Sequence, residues 1–335
     1  MFILIVGSLS SGRTEIVKYL TQFHQFQALE INADSDSQIQ KFTFPNATSL
    51  INHVTLNWKF NFVLKSTLSS TEIDELRKRP FVLVVGIDGP VKMRFQRFCS
   101  KRKTNETLEN MQEFIDVSDK HLYGFSGEIS NSEIGGMVQF GYNTKTINDV
   151  IRSSDLMITN SFNNVEELYK HLDSVSLINV ERTRPSWDLY FMKIAELASH
   201  RSNCMKRRVG CILVQNRQII ATGYNGTPKR ITNCNEGGCK RCNEGASIGQ
   251  SLDLCLCLHA EENALLEVGS SRISSVYCTL YCNTCPCIGC AKKIVQTGVR
   301  EVVYSKSYGM DSHTSKLFEE AGIIMRQYNN PLLYY

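Results

Sequence analysis

The sequence predicts an α/β protein built from two domains, and two observations support this prediction. Strand-like segments at residues 2–7, 79–90 and 155–162, of which the first is a continuous apolar run, are separated by segments with helical spacing or basic character. Strands that alternate with helices are typical of parallel βαβ units. Twelve of the 13 cysteines lie in the second half of the chain, which therefore differs in composition from the first. We expect one domain at residues 1–178 and another at residues 185–330.

Composition excludes several classes of protein. The 335 residues suffice for two ordinary domains, and 42% hydrophobic with 21% charged residues is typical of a globular protein. The sequence contains no apolar run of about 18 residues, the length that a membrane-spanning helix needs. The net charge of +4 is too small to indicate a polyanion as partner. We expect a soluble protein of the cytoplasm or nucleus, with neither a membrane nor a nucleic acid among its partners.

The second half has a regular order of predicted elements. A helix at residues 186–202 precedes two strands, "RVGCILVQN" and "QIIATGYNG", which the short "NRQ" turn joins. A cysteine-rich loop follows, and helices then alternate with strands as far as "IIMRQY". This order predicts a central five-stranded sheet flanked by helices.

Two segments lack a clear pattern. Residues 99–145 are polar and poorly periodic, which favours a mobile lid or an insertion. Residues 179–191 contain Arg-Pro-Ser ahead of an aromatic-rich helix. We expect an extended linker there, with Ser186 as the N-cap of the helix.

The distribution of the cysteines indicates metal binding. Only Cys99 precedes residue 200, and the others lie between Cys204 and Cys290. Because the opening residues lack the basic flank of a secretion signal, such clustering favours metal ligands over a disulfide framework. Cys211 and Cys278 lie inside apolar runs, where buried free thiols are expected.

Three residues form a candidate catalytic zinc site. His259 lies at the start of a predicted helix, and "PCIGC" at residues 286–290 starts another. Cys287 and Cys290 are one helical turn apart, and helix N-termini favour the thiolate form that binds metal. Three protein ligands leave a fourth position for water, as expected of a catalytic zinc. Glu261 follows His259 closely enough to shuttle protons without binding the metal.

Neighbouring residues offer alternatives at this site. Cys282 and Cys285 form another C-x-x-C pair, but they follow a predicted strand and have no helix-start proline between them. Glu262 is adjacent to Glu261 but one step round the helix, so we expect it to be a solvated or interface carboxylate.

The sequence resembles the deoxycytidylate (dCMP) deaminases of the cytidine deaminase-like superfamily, and the fungal members in particular. H-x-E followed by P-C-x-x-C is typical of zinc-dependent nucleobase deaminases. The similarity extends over nearly all of residues 184–328 and includes "RSNCMKRRVGCILV", "ATGYNGTPKRITNC" and "CLCLHAEENALLE". The resemblance implies that a zinc-activated water attacks C4 of dCMP, which yields dUMP and ammonia. Glu261 would protonate N3 and then the departing ammonia.

The same resemblance suggests binding residues and partners. Asn225 matches the superfamily asparagine that contacts the sugar, although "YNGT" is also a good turn sequence. Tyr308 is a candidate phosphate contact. Members of the family are commonly oligomers that dCTP activates and dTTP inhibits. We expect a homo-oligomer, a hexamer by resemblance, with dCMP as substrate and these two nucleotides as effectors.

A basic run at residues 201–208 is a further candidate phosphate site. It holds four cations around Ser202, and effectors of the family bind near the "GYNG" turn. The alternative is a solvated helix end that the helix dipole favours. Ser202 is a candidate substrate contact, and the candidates for binding effector or substrate phosphate are Arg201, Lys206, Arg207, Arg208 and Gly226.

A second metal site is predicted in the cysteine-rich loop. Four cysteines have the spacing C-x29-C-x4-C-x2-C, namely Cys204, Cys234, Cys239 and Cys242. A closed four-cysteine zinc would stabilise a loop that has no core of its own, and the family often carries such a structural zinc. Cys255 or Cys257 could replace one of the four, since both lie just ahead of His259.

The first half contains a pattern similar to a P-loop. "GSLSSGRT" follows a strand and opens a helix, which is the context of G-x-x-x-x-G-K-[ST], but an arginine replaces the lysine. The residues of the pattern are Gly7, Gly12, Arg13 and Thr14. "IDGPVKMRFQR" and "DLMITNSF" resemble segments of nucleoside-monophosphate-kinase-like proteins. We expect a degenerate kinase-like domain that serves as a nucleotide-binding relic, a regulatory module or an assembly surface.

Two other functions are compatible with parts of the sequence. A zinc deaminase of this fold could act on a tRNA base or on a pyrimidine of riboflavin synthesis, although "GYNG" and "RSNCMKRRVGC" favour a free deoxynucleotide. A non-catalytic nucleotide-sensing module would hold only structural zincs, but such a site needs four ligands and no neighbouring carboxylate. Glu261 therefore favours an enzyme over a non-catalytic module. We expect one catalytic zinc and one structural zinc.

Overall fold

The computed structural model of the protein describes residues 1–31, 41–66, 68–124, 145–247, 250–269, 278–307, 311–330 and 332. The chain divides into two compact units between Arg184 and Pro185. Each unit contains its own sheet. In the described ranges, no helix is both long and apolar enough to cross a membrane.

The first unit is built on a parallel sheet. Its strands are β1 (Phe2–Gly7), β2 (Gln27–Ile31), β3 (Lys41–Phe44), β4 (Phe62–Lys65), β5 (Val82–Asp88) and β6 (Leu156–Thr159). Their order in space is β3-β2-β4-β1-β5-β6, and each adjacent pair is parallel. The predicted strands at residues 2–7, 79–90 and 155–162 are confirmed as β1, β5 and β6. The sequence pattern did not single out β2, β3 or β4, which are only four or five residues long.

Helices cover both faces of this sheet. They are α1 (Arg13–Phe23), α2 (Ala47–Leu56), α3 (Ser70–Arg77), α4 (Val91–Arg102), α5 (Leu108–Tyr123), α6 (Ile147–Arg152) and α7 (Val165–Ser174). Successive side chains of β1 point to opposite faces, so Ile3 and Ile5 pack with α1 and α7, whereas Phe2 and Leu4 pack with α2 and α3. Burial on both faces explains why β1 is a continuous apolar run.

The polar segment at residues 99–145 is more regular than its sequence predicts. Thr107 accepts a hydrogen bond from the backbone N–H of Asn110 and so caps α5. Phe114 on α5 packs against Phe95 and Phe98, with ring centroids 5.7 and 5.3 Å apart. A narrow apolar stripe therefore suffices to dock an otherwise polar helix. The rest of the predicted lid, residues 125–144, lies outside the described residues.

The second unit is an α/β/α sandwich. Its strands are β7 (Gly210–Gln215), β8 (Gln218–Tyr224), β9 (Cys278–Thr284), β10 (Glu301–Lys306) and β11 (Ile324–Gln327), in the spatial order β11-β10-β9-β7-β8. β9, β10 and β11 are parallel, whereas β7 is antiparallel to β8 and β9. Asn216 and Arg217 join β7 to β8 with φ of 51° and 64°, and a tight hairpin turn favours positive φ at both positions. The predicted five-stranded sheet is confirmed.

Helices also lie on both faces of the second sheet. α8 (Trp187–Ser199) packs on one face, and the short α9 (Lys240–Asn243) belongs to the cysteine-rich loop. The other face carries α10 (Ala260–Val268), α11 (Ile288–Thr297) and α12 (Asp311–Glu320). Ser186 caps α8 as predicted, because its hydroxyl accepts a hydrogen bond from the Leu189 backbone N–H at 3.4 Å. Arg184 and Pro185, just ahead of it, lie outside any helix or strand, as expected of a linker, and a 3-10 turn at Val180–Arg182 precedes them.

A network of ion pairs joins α8 to the outer strands of this unit. Arg326 on β11 donates to the two carboxylate oxygens of Asp188 at 2.7 and 2.8 Å. Arg326 also donates to Glu301 on β10 at 2.7 Å, and the Tyr281 hydroxyl donates to Asp188 at 2.8 Å. The hydrogen bonds from Arg326, above all, hold the pKa of Asp188 below its usual range.

Replacement of Asp188 by asparagine should lower the free energy of unfolding of this unit by about 1–2 kcal/mol at neutral pH. Hydrogen bonds to a charged group contribute roughly 1.5–3 kcal/mol, and the partial exposure of this pair reduces that value. A carboxylate whose pKa is lowered by folding stabilises the protein above its unfolded pKa of about 3.9, and this stabilisation is lost as the pH falls through the folded pKa. The difference between the two proteins should therefore shrink as the pH falls below the unfolded pKa and through the lower folded pKa.

Urea unfolding followed by the fluorescence of Trp187, in a Trp58→Phe background, measures this difference. A difference that stays the same at neutral and low pH would show that the Asp188 charge does not contribute.

Candidate metal centre and active site

The candidate catalytic metal centre lies where two helices begin. His259 is the N-cap of α10, Cys287 is the N-cap of α11, and Cys290 lies in the first turn of α11. His259 Nδ1 is 3.4 Å from Cys287 Sγ and 3.3 Å from Cys290 Sγ. The position of Pro286 at the start of "PCIGC" suggests a residue of the first helical turn. In the structure Pro286 lies one residue before the N-cap Cys287, outside the first turn of α11. The structure thus brings the three predicted ligands together.

The donor set and its spacing fit zinc. A tetrahedral zinc with Zn–N of about 2.0 Å and Zn–S of about 2.3 Å places nitrogen and sulfur about 3.5 Å apart. All three ligand atoms lie within 4.8 Å of one another. The hydrogen bond from Cys290 lowers the pKa of Cys287 to about 3, so this sulfur is a thiolate at neutral pH. His259 is exposed and Cys290 is buried, which leaves one side of the centre accessible to a small molecule.

Glu261 is buried next to these ligands. Its side chain is only 4% exposed, and it lies in the first turn of α10. Burial raises its pKa to about 7, since a charged carboxylate is poorly solvated there. A carboxyl with a pKa near neutrality can both donate and accept a proton. The charge of a bound metal ion would counteract part of this rise.

Glu262 has a different role from its neighbour. Its carboxylate accepts a hydrogen bond from the His259 backbone N–H at 3.2 Å and forms an ion pair with Lys293 on α11. These contacts cap α10 and join it to α11. Glu262 is partly exposed, and whether it also contacts another chain stays a prediction.

The alternative cysteine pair lies elsewhere. Cys282 on β9 is fully buried and packs in the apolar core of the unit with Cys211. Cys285 is 3% exposed, and its sulfur lies 3.7 Å from the carbonyl oxygen of Pro286. Neither belongs to a metal-ligand cluster of the described residues. This placement disfavours Cys282 and Cys285 as ligands of the catalytic metal.

Close packing of α10 on β8 positions the centre. A Cβ at Gly223 would lie 2.1 Å from the Ala260 carbonyl oxygen, so only glycine allows the helix to approach this near. Asn263 on α10 donates a hydrogen bond to the carbonyl of Tyr224 at 2.7 Å. The backbones of Gly226 and Leu258 exchange hydrogen bonds of 3.2 and 2.9 Å. His259, the next residue, is thereby held beside the turn that follows β8.

Asn225 organises the loop that carries the basic run. It is 7% exposed, and its Oδ1 accepts hydrogen bonds from the Ser202 hydroxyl at 2.7 Å and from the Val209 backbone N–H at 2.8 Å. Its Nδ2 donates to the Arg207 carbonyl at 2.8 Å. These bonds agree with the turn interpretation of "YNGT". Contact with a sugar stays a prediction for Asn225, as does contact with substrate for Ser202.

The basic run itself is a surface loop. α8 ends at Ser199, and the backbone N–H of Arg201 still bonds to the Ala198 carbonyl at 3.1 Å, so Arg201 lies at the helix end whereas the other three cations lie beyond it. The side chains of all four cations are exposed, and the residues are Arg201, Lys206, Arg207 and Arg208. Gly226 lies under this loop, where a Cβ would meet Asn203 Oδ1 at 2.6 Å. A phosphate-binding role for these residues stays a prediction, and Tyr308 lies outside the described residues.

The cysteine-rich loop brings six sulfurs together instead of the predicted four. Sulfurs within 4.8 Å of one another form two groups, Cys204, Cys234, Cys242 and Cys257 in the first and Cys239, Cys242, Cys255 and Cys257 in the second. The predicted set of Cys204, Cys234, Cys239 and Cys242 is neither group, because the chain folds back and places Cys257 beside Cys204. The C-x-C pair just ahead of His259 was the signal in the sequence for this correction.

The predicted P-loop residues follow β1 in the middle of the parallel sheet. β1 ends at Gly7, and α1 begins at Arg13 after Gly12, whose φ is 109°. Strands β2, β3 and β4 lie on one side of β1 in the sheet, and β5 and β6 lie on the other. Open α/β sheets bind ligands at such points, where the strand order changes direction. Arg13 is half-buried, burial lowers its pKa, and Thr14 is exposed. Phosphate binding by this loop stays a prediction.

Known proteins are similar to this chain in sequence. Residues 185–306 match the family model of the cytidine and deoxycytidylate deaminase zinc-binding region. Together with the His259, Cys287 and Cys290 cluster, this match defines the second unit as a zinc-binding deaminase domain.

Relatives with similar sequences extend over both units. The chain is 43% identical over 335 residues to a deoxycytidylate deaminase of Schizosaccharomyces pombe, with 98% of this chain and 97% of that protein covered. It is 39% identical over 330 residues to a deoxycytidylate deaminase of Saccharomyces cerevisiae, with the same coverage. A solved dCMP deaminase of the cyanophage S-TIM5, in complex with dCMP and dUMP, is 34% identical with a TM-score of 0.37 and covers 43% of this chain and 98% of that chain. The chain belongs to the deoxycytidylate deaminase family, whose members are enzymes.

Replacement of Cys287 by serine should remove one zinc ion per chain and lower turnover by at least about 100-fold, because a hydroxyl is a poor substitute for a thiolate ligand. Cys282→Ala is the matched control, since Cys282 belongs to the alternative pair but lies in the core. The control should retain its zinc and lose only stability. The zinc content per chain, measured by mass spectrometry of the metal, shows which cysteine pair binds the metal. Loss of zinc from Cys282→Ala but not from Cys287→Ser would assign the metal to the alternative pair.

Proposed function

We propose that this protein catalyses the hydrolytic deamination of dCMP to dUMP and ammonia and thereby supplies dUMP for thymidylate synthesis. The observation that supports this most directly is a three-ligand metal cluster with a buried carboxyl beside it. Three ligands leave a coordination position for water, which a structural site does not need. The two yeast relatives, similar over nearly their whole length, carry the name deoxycytidylate deaminase.

Residues His259, Cys287 and Cys290 would hold the zinc ion, which supplies a water molecule that is activated near neutral pH. Glu261 would move the protons. It would accept a proton from the water and donate it to N3 of the cytosine ring as the water oxygen bonds to C4, and it would then accept the proton of the new C4 hydroxyl and donate it to the amino group on C4. The C4–N bond breaks, ammonia leaves, and the oxygen remains as the carbonyl of dUMP. A pKa of about 7 suits a group that must donate and accept in turn.

The sugar and phosphate of the substrate would lie along the loop that Asn225 organises. Beyond its bond to the Arg207 carbonyl, the Asn225 amide has a second hydrogen to donate. Ser202 lies within hydrogen-bonding distance of Asn225 at the same corner. Exposed cations next to it would attract a phosphate group, either of dCMP or of an effector nucleotide.

The proposal also covers regulation by nucleotides and assembly into an oligomer. We assign activation to dCTP and inhibition to dTTP, with effector phosphates on the basic run, and we expect a homo-oligomer, a hexamer by family resemblance. The first unit would serve as a regulatory or assembly module with a degenerate P-loop. Its retention in both yeast relatives, which match 98% of this chain, supports a role in the same protein.

Replacement of Glu261 by glutamine should leave the zinc content unchanged and lower kcat by roughly 100- to 10,000-fold, the usual contribution of general acid–base catalysis. Glu262→Gln is the control on the same helical turn. It weakens the cap and the ion pair with Lys293, so it should lower stability but change kcat by only about a few-fold. Loss of zinc from Glu261→Gln, or equal losses of kcat in both variants, would contradict the proposed role.

The substrate is tested with dCMP, CMP and deoxycytidine, each with and without dCTP and dTTP. We expect release of ammonia from dCMP, with more at low substrate when dCTP is present and less with dTTP. Equal turnover of deoxycytidine would contradict recognition of the phosphate. No turnover of any of the three by the zinc-loaded protein would contradict the proposed function and direct attention to tRNA bases and pyrimidines of riboflavin synthesis.

A further inference from the structure

The cysteine-rich loop contains more thiols than one metal ion can bind. Six sulfurs cluster there, and they belong to Cys204, Cys234, Cys239, Cys242, Cys255 and Cys257. A structural zinc takes four ligands. Two of the six, Cys242 and Cys257, belong to both groups of four mutually close sulfurs. Two tetrahedral metal sites with two bridging ligands would divide six sulfurs in this way, with four ligands around each ion.

The distances between sulfurs agree with ligation to shared ions. In a tetrahedral site with Zn–S of about 2.3 Å, the sulfurs are about 3.8 Å apart. Cys242 Sγ lies 4.0 Å from Cys204 Sγ, a member of the first group, and 3.7 Å from Cys255 Sγ, a member of the second. Cys242 is therefore at ligand spacing from both groups. All of these distances are far longer than the disulfide bond of about 2.05 Å.

We propose that the six cysteines hold two zinc ions in one binuclear cluster. The thiolates of Cys242 and Cys257 bridge the two ions. Cys204 and Cys234 complete the four ligands of the first ion, and Cys239 and Cys255 complete those of the second. The catalytic centre is a separate, third zinc site.

Hydrogen-bond donors surround the terminal sulfurs, as they do around metal-bound thiolates. The backbone N–H of Met205 points to Cys234 Sγ at 3.5 Å, and that of Leu256 points to Cys239 Sγ at 3.4 Å. Such donors stabilise negative charge on a ligand and fix its orientation. A buried neutral thiol in an apolar core would not require them.

The charge of the surroundings also suits the cluster. Two Zn²⁺ ions and six thiolates carry a net charge of −2, which burial would make costly without nearby cations. Arg241 directly precedes Cys242 in the sequence. Lys206 and Arg207 follow Cys204 in the sequence, and Lys240 follows Cys239. The loop thus supplies positive charge next to both groups of ligands.

The loop needs the metal because it has no apolar core. Between residues 227 and 256, the described side chains that are buried are those of Cys234, Cys239 and Cys242. Its larger apolar side chains are exposed instead, namely Ile231, Leu252, Leu254 and Leu256. The free energy that orders this loop must therefore come from metal binding.

The cluster also adjoins the catalytic centre. Cys257 lies two residues before His259, and Cys204 lies in the loop that carries the basic run. The cluster consequently anchors both segments. Its metal content can be measured independently of the substrate, so the proposal does not depend on which nucleotide the enzyme deaminates.

Zinc content of three full-length variants distinguishes two ions from one. Cys234 belongs only to the first group and Cys255 only to the second. With a binuclear cluster, the wild-type protein holds three zinc ions per chain, and Cys234→Ser and Cys255→Ser each hold fewer. Cys278→Ala, which removes a buried thiol outside both groups, keeps all three.

A single ion gives a different result. The wild-type protein would then hold two zinc ions per chain, and only one of the two serine variants would lose metal. That outcome overturns the proposal, as does one zinc ion per chain in the wild-type protein.

A second measurement on the wild-type protein applies if both serine variants fail to fold. After replacement of zinc by cadmium-113, bridging thiolates should give two resonances in the all-sulfur region that are coupled to each other. The catalytic centre should give a separate, uncoupled resonance. A single uncoupled all-sulfur resonance would overturn the bridged cluster.

Discussion

The approach of α10 to β8 is the contact on which the rest of the active site depends. Only a residue without a Cβ fits at Gly223, where the Ala260 carbonyl would otherwise be 2.1 Å away. This approach places His259 and Glu261 at the end of β8, beside the turn that holds Asn225. α11 begins at the same end of the sheet, so both helix N-termini converge on the metal ligands. Their dipoles favour thiolate there, which makes the centre suitable for a cation.

Adjacent side chains acquire different functions from their surroundings. Glu261 and Glu262 are identical in chemistry, yet one is buried with a pKa of about 7 and the other caps α10 and pairs with Lys293. Cys282 and Cys287 differ in the same way, since the first packs in the core and the second contacts His259. Proximity to the metal ligands along the chain is therefore a weak guide to function, whereas the direction of each side chain decides it.

The two units differ in what stabilises them. The first unit buries a parallel sheet between two layers of helices, so ordinary apolar packing suffices. The second unit has an equally apolar sheet, but its long cysteine-rich loop has only sulfurs inside. In the proposed cluster, metal ligation takes the place of a core in that loop, and the loop leads directly into His259. Stability of the loop and geometry of the active site are consequently linked through Cys257.

The sequence by itself determined the five-stranded sheet, the cap at Ser186, and the three residues that converge on the catalytic centre. These features depend on local periodicity, on capping chemistry and on spacings of one helical turn. Only the tertiary structure decided that Cys255 and Cys257 join the other four cysteines, that Glu262 pairs with Lys293, and that Asn225 supports the basic run. Those relations join residues that are far apart in the chain, and no local pattern records which of them the fold brings into contact.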